Sequence, residues 1–316
     1  MKWQIAKIIS ALVVILSLVA MPLAEVQAKI EEVVEKSFEV SSGGMLLVDS
    51  ERGSIDIGTH DKNTVDIEVV FKVKTGREEY ARELIDDFAL EFENTSKSVE
   101  IYGDFHGEQG WFGTRNNKLQ VEFHILVPRE FNLDLKTSGG SIHVDDLKGE
   151  VDARTSGGSL GFNNIEGPVT GRTSGGSISL KSCTGEANIK TSGGSISIGR
   201  VDGDVDAHTS GGSIHVDEVR GVIDASTSGG SVTAYITEQP KSDCRLTTSG
   251  GSVNVFLDPK INVDIDAKTS AGSVHSDFDV AGRDRKNRSS LRGEINDGGP
   301  ELYLRTSGGG IYINEI

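Results

Sequence analysis

Two cysteines in 316 residues are too few to staple a fold together. Aromatic side chains are scarce as well, at 6% beside 39 glycines, which describes a chain that turns often rather than one built around a single large globular core. Positive charge is in deficit: 32 Lys and Arg stand against 48 Asp and Glu, a net charge of −16. Such a surface repels nucleic acid and anionic lipid headgroups, so neither is an expected partner. Beyond the first 28 residues no apolar run approaches the roughly 20 residues that a membrane span needs.

The N-terminus has a short apolar run of a different kind. Lys2 and Lys7 precede Ile8 to Ala20, and Val26-Gln27-Ala28 places small residues at signal-peptidase offsets, so residues 1–28 read as a secretory signal peptide cleaved after Ala28. The alternative is an uncleaved anchor, because Ile8 to Ala24 carries no charge. No cysteine lies near the cleavage point to carry a lipid. The chain is therefore expected to be exported, to the periplasm or to the cell surface or medium.

What dominates the rest is a repeat. Thr-Ser-Gly-Gly begins at Thr137, Thr155, Thr173, Thr191, Thr209 and Thr227, each 18 residues after the last, and further copies begin at Thr248, Thr269 (with Ala271 for the first glycine) and Thr306. Five residues after each threonine stands an aliphatic residue in all nine copies: Ile142, Leu160, Ile178, Ile196, Ile214, Val232, Val253, Val274 and Ile311. Alternation continues through Val144, Phe162, Leu180 and Ile198, and a second alternating stretch, as in Val151 and Ala153 or Val205 and Ala207, precedes the next threonine. Each period thus holds two short strands with one buried face and two glycine-bearing turns, where positive φ is the expected use of glycine. One period is one coil. A lone coil cannot bury its aliphatic stripe, whereas coils stacked at about 4.8 Å bury it continuously. The fold class is all-β: a parallel β-solenoid of 18-residue coils over 131–316, behind an N-terminal β-rich region over 29–130 that carries one inserted α-helix.

That helix is expected at about residues 76–88, from a Thr75/Glu78 capping box followed by Tyr80, Leu84 and Phe88, and it should cover the open end of the first coils. Two stretches break the pattern and are candidate binding loops: Gly103 to Asn117, with Trp111 and Phe112, and Ala281 to Arg292, with the basic Arg283, Arg285, Lys286 and Arg288 on an acidic protein. Ordinary surface excursions would look the same. The last copy stops soon after Ile311 and Ile313, so these two are the expected edge for self-association into a homodimer, unless the basic insertion folds over it.

No catalytic residue, metal or cofactor is expected. The repeat serines are numerous, but a nucleophile needs a base within hydrogen-bond reach; the recurring Thr and Ser read instead as stacked hydroxyl ladders. Turn residues vary from Asp145-Asp146 through Asn163-Asn164 to Lys181-Ser182, without the recurrent Asp that calcium needs. His143 and His215 are four coils apart, about 19 Å, too far to share a metal. Cys183 and Cys244 fall in coils about 14 Å apart, beyond the reach of a disulfide. Asp three residues before the threonine and Lys or Arg immediately before it, as in Asp152 and Arg154, put a regular charged row on one outer face. That row reads either as a grip on an envelope polymer or as a soluble face of cross-strand ion pairs.

The recurring Thr-Ser-Gly-Gly-Ser-[Ile/Val], with Phe38-Glu39-Val40, Gly53-Ser54-Ile55-Asp56-Ile57 and a strand ending Val127-Pro128, resembles the bacterial putative-adhesin family of β-strand-repeat proteins, a domain of unknown function. The resemblance implies an exported β-solenoid, sometimes encoded with envelope-stress systems, and supplies no catalytic residues. Three function classes follow: a non-catalytic adhesin or envelope-binding scaffold; an envelope-stress sensor or self-assembling structural protein; and a polysaccharide lyase or hydrolase on a β-helix, whose cleft-building insertions are missing from five consecutive coils.

Overall fold

The computed structural model describes residues 29–106, 118–281 and 288–316. Two long sheets face each other: sheet A, of fourteen strands, and sheet B, of thirteen. In each coil the strand that ends at the repeat threonine lies in sheet B, as Val151–Thr155 does, and the strand after the Gly-Gly lies in sheet A, as Leu160–Glu166 does. Equivalent residues stack one per coil, Ile178 on Leu160 and Ile196 on Ile178. The aliphatic stripe is closed from water, with Ile142, Ile178, Ile196 and Ile214 each 1% exposed. Parallel strands buried on one face explain the Val, Ile and Ala usage, since short or β-branched side chains fill the narrow space between two facing sheets.

The threonine is part of that interior. Thr155, Thr173, Thr191 and Thr209 are 6–7% exposed. Each Oγ1 donates to the carbonyl of the second glycine one coil earlier, at 2.7–2.8 Å: Thr155 to Gly140, Thr173 to Gly158, Thr191 to Gly176, Thr209 to Gly194. Serine supplies a second ladder, Ser159 N–H donating to Ser141 Oγ at 3.1 Å and Ser195 N–H to Ser177 Oγ at 3.1 Å. The hydroxyl repeats are therefore corner ladders. Glycine has a different cause there from the one expected. None of the Thr-Ser-Gly-Gly glycines has positive φ; Gly149 and Gly167 at the other turn do, as does Gly53 at the corner of the coil below. The second glycine is required by close stacking, because a Cβ at Gly158 would meet the Gly140 carbonyl oxygen at 2.0 Å.

The ends depart from a simple winding. Strands Gly44–Ser50 and Ser54–His60 form a coil directly below the Thr137 coil, and Ser98–Phe105 with Leu119–Pro128 form the one beyond it, although they come later in the chain. The C-terminal end repeats this. Strand Val263–Thr269 pairs not with Cys244–Thr248 but with Glu301–Thr306, which also pairs with Cys244–Thr248, so the Thr306 coil is inserted between the Thr248 and Thr269 coils. Ile311 and Ile313 consequently do not form an edge: their strand pairs with Val253–Leu257 on one side and Val274–Ser276 on the other, and both are buried.

Antiparallel strands close the ends. Thr64–Lys74 pairs against Leu119–Pro128 and then Lys29–Glu39 against it, ending sheet A; Phe88–Asn94 ends sheet B at the same side. At the other end of sheet B, Ser290–Ile295, from the basic insertion, pairs antiparallel with Val263–Thr269. The helix spans Glu78–Asp86 and packs Ala81, Leu84 and Ile85 against the terminal strands Thr64–Lys74 and Phe88–Asn94, the expected capping role. It starts later than expected because Thr75 Oγ1 accepts from the Arg77 N–H at 3.2 Å, making a turn in place of a capping box. Phe88 begins the next strand and meets Phe71 edge-on, with ring centroids 5.5 Å apart.

Candidate binding faces

The solenoid offers two outer faces, and their chemistry differs. On sheet A an open groove of about 660 Å³ near the N-terminal end is lined by Glu35, Asp56, Asp66, Glu68, His124 and Leu126. Several of its charged groups pair with one another, although Glu35 and Glu68 face each other across the strands. His124 lies between Asp56 at 3.6 Å and Glu122 at 3.6 Å, and Glu122 also takes Lys72. Burial raises the Asp66 carboxyl, but the hydrogen bond from Ser37, with Thr64, His60 and Lys62 nearby, outweighs it and holds the group below its ordinary range.

Further along sheet A, successive coils carry aromatics. Tyr235 and Phe256 stack with centroids 4.4 Å apart and planes 8° from parallel, and His275 stacks on Tyr312 at 5.5 Å. Rings stacked coil on coil cover each other's faces and turn their edges outward, so they stabilise the sheet rather than offer a flat platform. Three strands of this face carry Ser-x-His-x-Asp, at 141–145, 213–217 and 273–277, a pattern the sequence reading passed over. A serine nucleophile would need one histidine joined to both partners. His215 Nε2 meets Asp217 at 2.6 Å and His143 Nε2 meets Asp145 at 3.3 Å, whereas His275 Nε2 meets Ser273 Oγ at 2.7 Å. In none of the three does one imidazole hold both. Gly157 to Gly161 also spells Gly-x-Ser-x-Gly. Ser159 there belongs to the serine ladder, its Oγ accepting from the Ser177 N–H at 3.3 Å.

Sheet B carries the charged row. The residues before the threonines stand in register, Lys136, Arg154, Arg172 and Lys190, flanked three residues before each threonine by Asp134, Asp152, Thr170, Asn188 and Asp206. Most cations are paired: Lys136 to Asp49 at 2.8 Å, Arg154 to Asp152 at 2.5 Å, Lys190 to Asp206 at 2.8 Å. Burial pushes the Asp152 carboxyl above its usual range despite Arg154. At the C-terminal end, Tyr303 lies between Arg245 and Arg305, whose guanidinium carbons are 4.4 and 3.9 Å from its ring centroid. Arg305 and Arg292 both hold Asp266, at 2.8 and 2.6 Å. This cluster was missing from the sequence reading; Arg245 and Tyr303 occupying the usual Asp position was its only signal.

Of the candidate loop residues, Trp111, Phe112, Arg283, Arg285 and Lys286 lie outside the described residues. Arg288 is exposed, and its carbonyl accepts the Val274 N–H at 2.8 Å. Cys183 and Cys244 are buried free thiols, and burial raises both. Among the described residues, no three His, Cys, Asp or Glu side chains converge as metal ligands, and no helix is long and apolar enough to cross a membrane.

A family model, Toastrack DUF4097, matches residues 46–314. No curated protein matches the chain. Similar solved structures include a putative cell adhesion protein from Clostridium sporogenes, 14% identical, with 90% of this chain and 100% of that one covered and a TM-score of 0.26. Others are a putative adhesin from Bacteroides fragilis (13% identical, 90% and 97% covered, TM-score 0.37) and a putative lipid binding protein from Parabacteroides distasonis (15%, 90% and 96%, TM-score 0.36). With TM-scores below 0.5 these are likenesses only.

Proposed function

The chain belongs to the Toastrack DUF4097 family, and from that premise we propose that it is an exported, non-catalytic scaffold that binds a component of the cell envelope along an outer face of the solenoid. One observation carries this reading. From Thr137 to Thr227 the coils follow at 18 residues without an insertion, and the outer positions of sheet B hold the same kinds of polar group coil after coil. A flat, repeating face suits a repeating or extended partner better than a small substrate, which needs a concave site with converging groups. Export rests on residues 1–28, with Lys2, Lys7 and the apolar run to Ala20 serving as a signal peptide and Lys29 opening the mature chain.

The test has two arms. Fractionating cells that produce the full chain and sequencing the N-terminus of the product should give exported protein beginning at Lys29; cytoplasmic, unprocessed protein would end the export reading. Purified mature protein mixed with isolated envelope fragments should sediment with them and should release no product from a panel of neutral and acidic glycans. Protein left in the supernatant, or glycan cleavage, would replace the scaffold reading.

A further inference from the structure

Within the regular run of coils from Thr137 to Thr227, the Asp row of sheet B is interrupted at one place. The Asp that stands three residues before the threonine in the Thr137, Thr155, Thr209 and Thr227 coils is replaced by Thr170 and Asn188 in the Thr173 and Thr191 coils. The cation row is not interrupted there. Arg154, Arg172 and Lys190 stand directly across from one another on three adjacent strands. At an inter-strand spacing of about 4.8 Å, three positive side chains lie within about 10 Å, and like charges facing across a sheet repel.

Each neighbour of Arg172 has a carboxylate of its own. Arg154 turns to Asp152 in its own strand, and Lys190 turns to Asp206 one coil further on. Arg172 is exposed and, among the described residues, has neither an ion pair nor a hydrogen bond. Around it the sheet presents the Thr170 side chain and the Asn188 amide; the carboxylate nearest in the row, Asp152 one coil earlier, is held by Arg154 and attracts Arg172 only through space. The ion pairs of the neighbouring coils explain themselves as a solubilising ladder, but this guanidinium stands between two like charges and holds no carboxylate of its own.

We propose that Arg172, with Arg154 and Lys190 to either side, is the anion subsite of this face, and that it takes the acidic groups of a linear carboxylate-bearing polysaccharide lying along the solenoid axis. This rests on the scaffold reading above and names its ligand class. A guanidinium receives a carboxylate through two parallel N–H donors, a geometry that lysine cannot match. One exposed site holds a lone anion only weakly, so a polymer that also meets Lys136 and His208 along the same row gains by multivalency. Sugar hydroxyls would meet the polar residues of the interleaved row, Thr170 and Asn188.

The experiment uses the full mature protein and polygalacturonate as probe, with dextran, anionic lipid vesicles and duplex DNA as the other arms. Wild-type protein should bind polygalacturonate and none of the other three. Arg172→Ala should weaken binding by about tenfold or more and lower the dependence of log K on log salt by about one, as the loss of one polyanion contact does. Arg172→Lys should recover part of the affinity, and Lys181→Ala on the opposite face should change nothing. Circular dichroism and melting should match wild type for all variants, since the Arg172 side chain holds no ion pair or hydrogen bond among the described residues. Unchanged binding in Arg172→Ala, or equal binding to dextran, overturns the subsite. Arg172-dependent binding to vesicles or DNA alone overturns the polysaccharide. If the protein sediments with envelope fragments but polygalacturonate binding ignores Arg172, the scaffold reading stands and this one falls; if it binds neither, both fall.

Discussion

The Thr306 hydroxyl donates a 2.6 Å hydrogen bond to the carbonyl of Gly251, 55 residues earlier, where the central coils make the same bond over 15 residues. Thr269, earlier in sequence, donates instead to Gly309 at 2.7 Å. The ladder is continuous in space while the chain leaves it, builds the terminal coil and the antiparallel strand Ser290–Ile295, and returns to fill the gap. The coil named by Thr306 is therefore interior. Ile313→Lys should place a charge in a dry layer and cost several kcal/mol, against less than about 0.5 for Glu315→Lys at the exposed end of the same strand. Denaturant midpoints decide it: equal shifts for the two variants would mean that the strand lies at an open edge.

The two glycines of each corner should differ in tolerance. A Cβ at Gly157 would lie 3.6 Å from the Gly139 carbonyl oxygen, an ordinary contact, whereas one at Gly158 would lie 2.0 Å from the Gly140 oxygen. The Thr269 coil already carries Ala271 at the first position. Gly157→Ala should be within about 0.5 kcal/mol of wild type and Gly158→Ala should cost several kcal/mol by forcing the coils apart. Comparable melting temperatures for the pair would show that the corner can open without loss.

Residues such as Ile196 and Thr191 made the coil readable, because a period of 18 with fixed aliphatic positions admits few folds. The order of the coils was not readable, and the reason is the repeat itself. Thr306-Ser307-Gly308-Gly309 presents the same corner as Thr269-Ser270-Ala271-Gly272, so nothing local tells a strand which neighbour it takes. The outer face was legible as positions but not as pairs: Asp266 finds Arg292 and Arg305 only once the last coil is inserted. Arg172 was legible only as one of a row. What sets it apart is the set of partners taken by its neighbours, which depends on geometry.

Cys183 and Cys244 are 2% exposed, and burial raises both thiols, which lowers the thiolate fraction that reacts. Native protein should therefore modify slowly with a thiol reagent at pH 8, and both cysteines should react fully once it is denatured. Rapid labelling of either in the native state would contradict its place in the interior.

Asp266 gives the fold a pH dependence of known sign. Burial raises its carboxyl, but the hydrogen bonds from Arg305 and Arg292, with their charges, outweigh burial and hold it below the ordinary range. A group depressed in the folded state stabilises the fold above its ordinary value of about 3.9 and loses that contribution as pH falls through the folded value. Asp266→Asn keeps the shape and removes the charge. At pH 7 it should cost roughly 1–3 kcal/mol, since two guanidinium groups lose their shared carboxylate and Arg305 stays only 24% exposed. As pH falls below about 4 the unfolded chain protonates first and the gap should begin to narrow, closing only once pH drops below the depressed value of the folded carboxyl. Urea unfolding of both proteins from pH 7 to pH 3 measures the gap. A gap of constant size across that range would assign the loss to packing around Tyr303 rather than to the ion pairs.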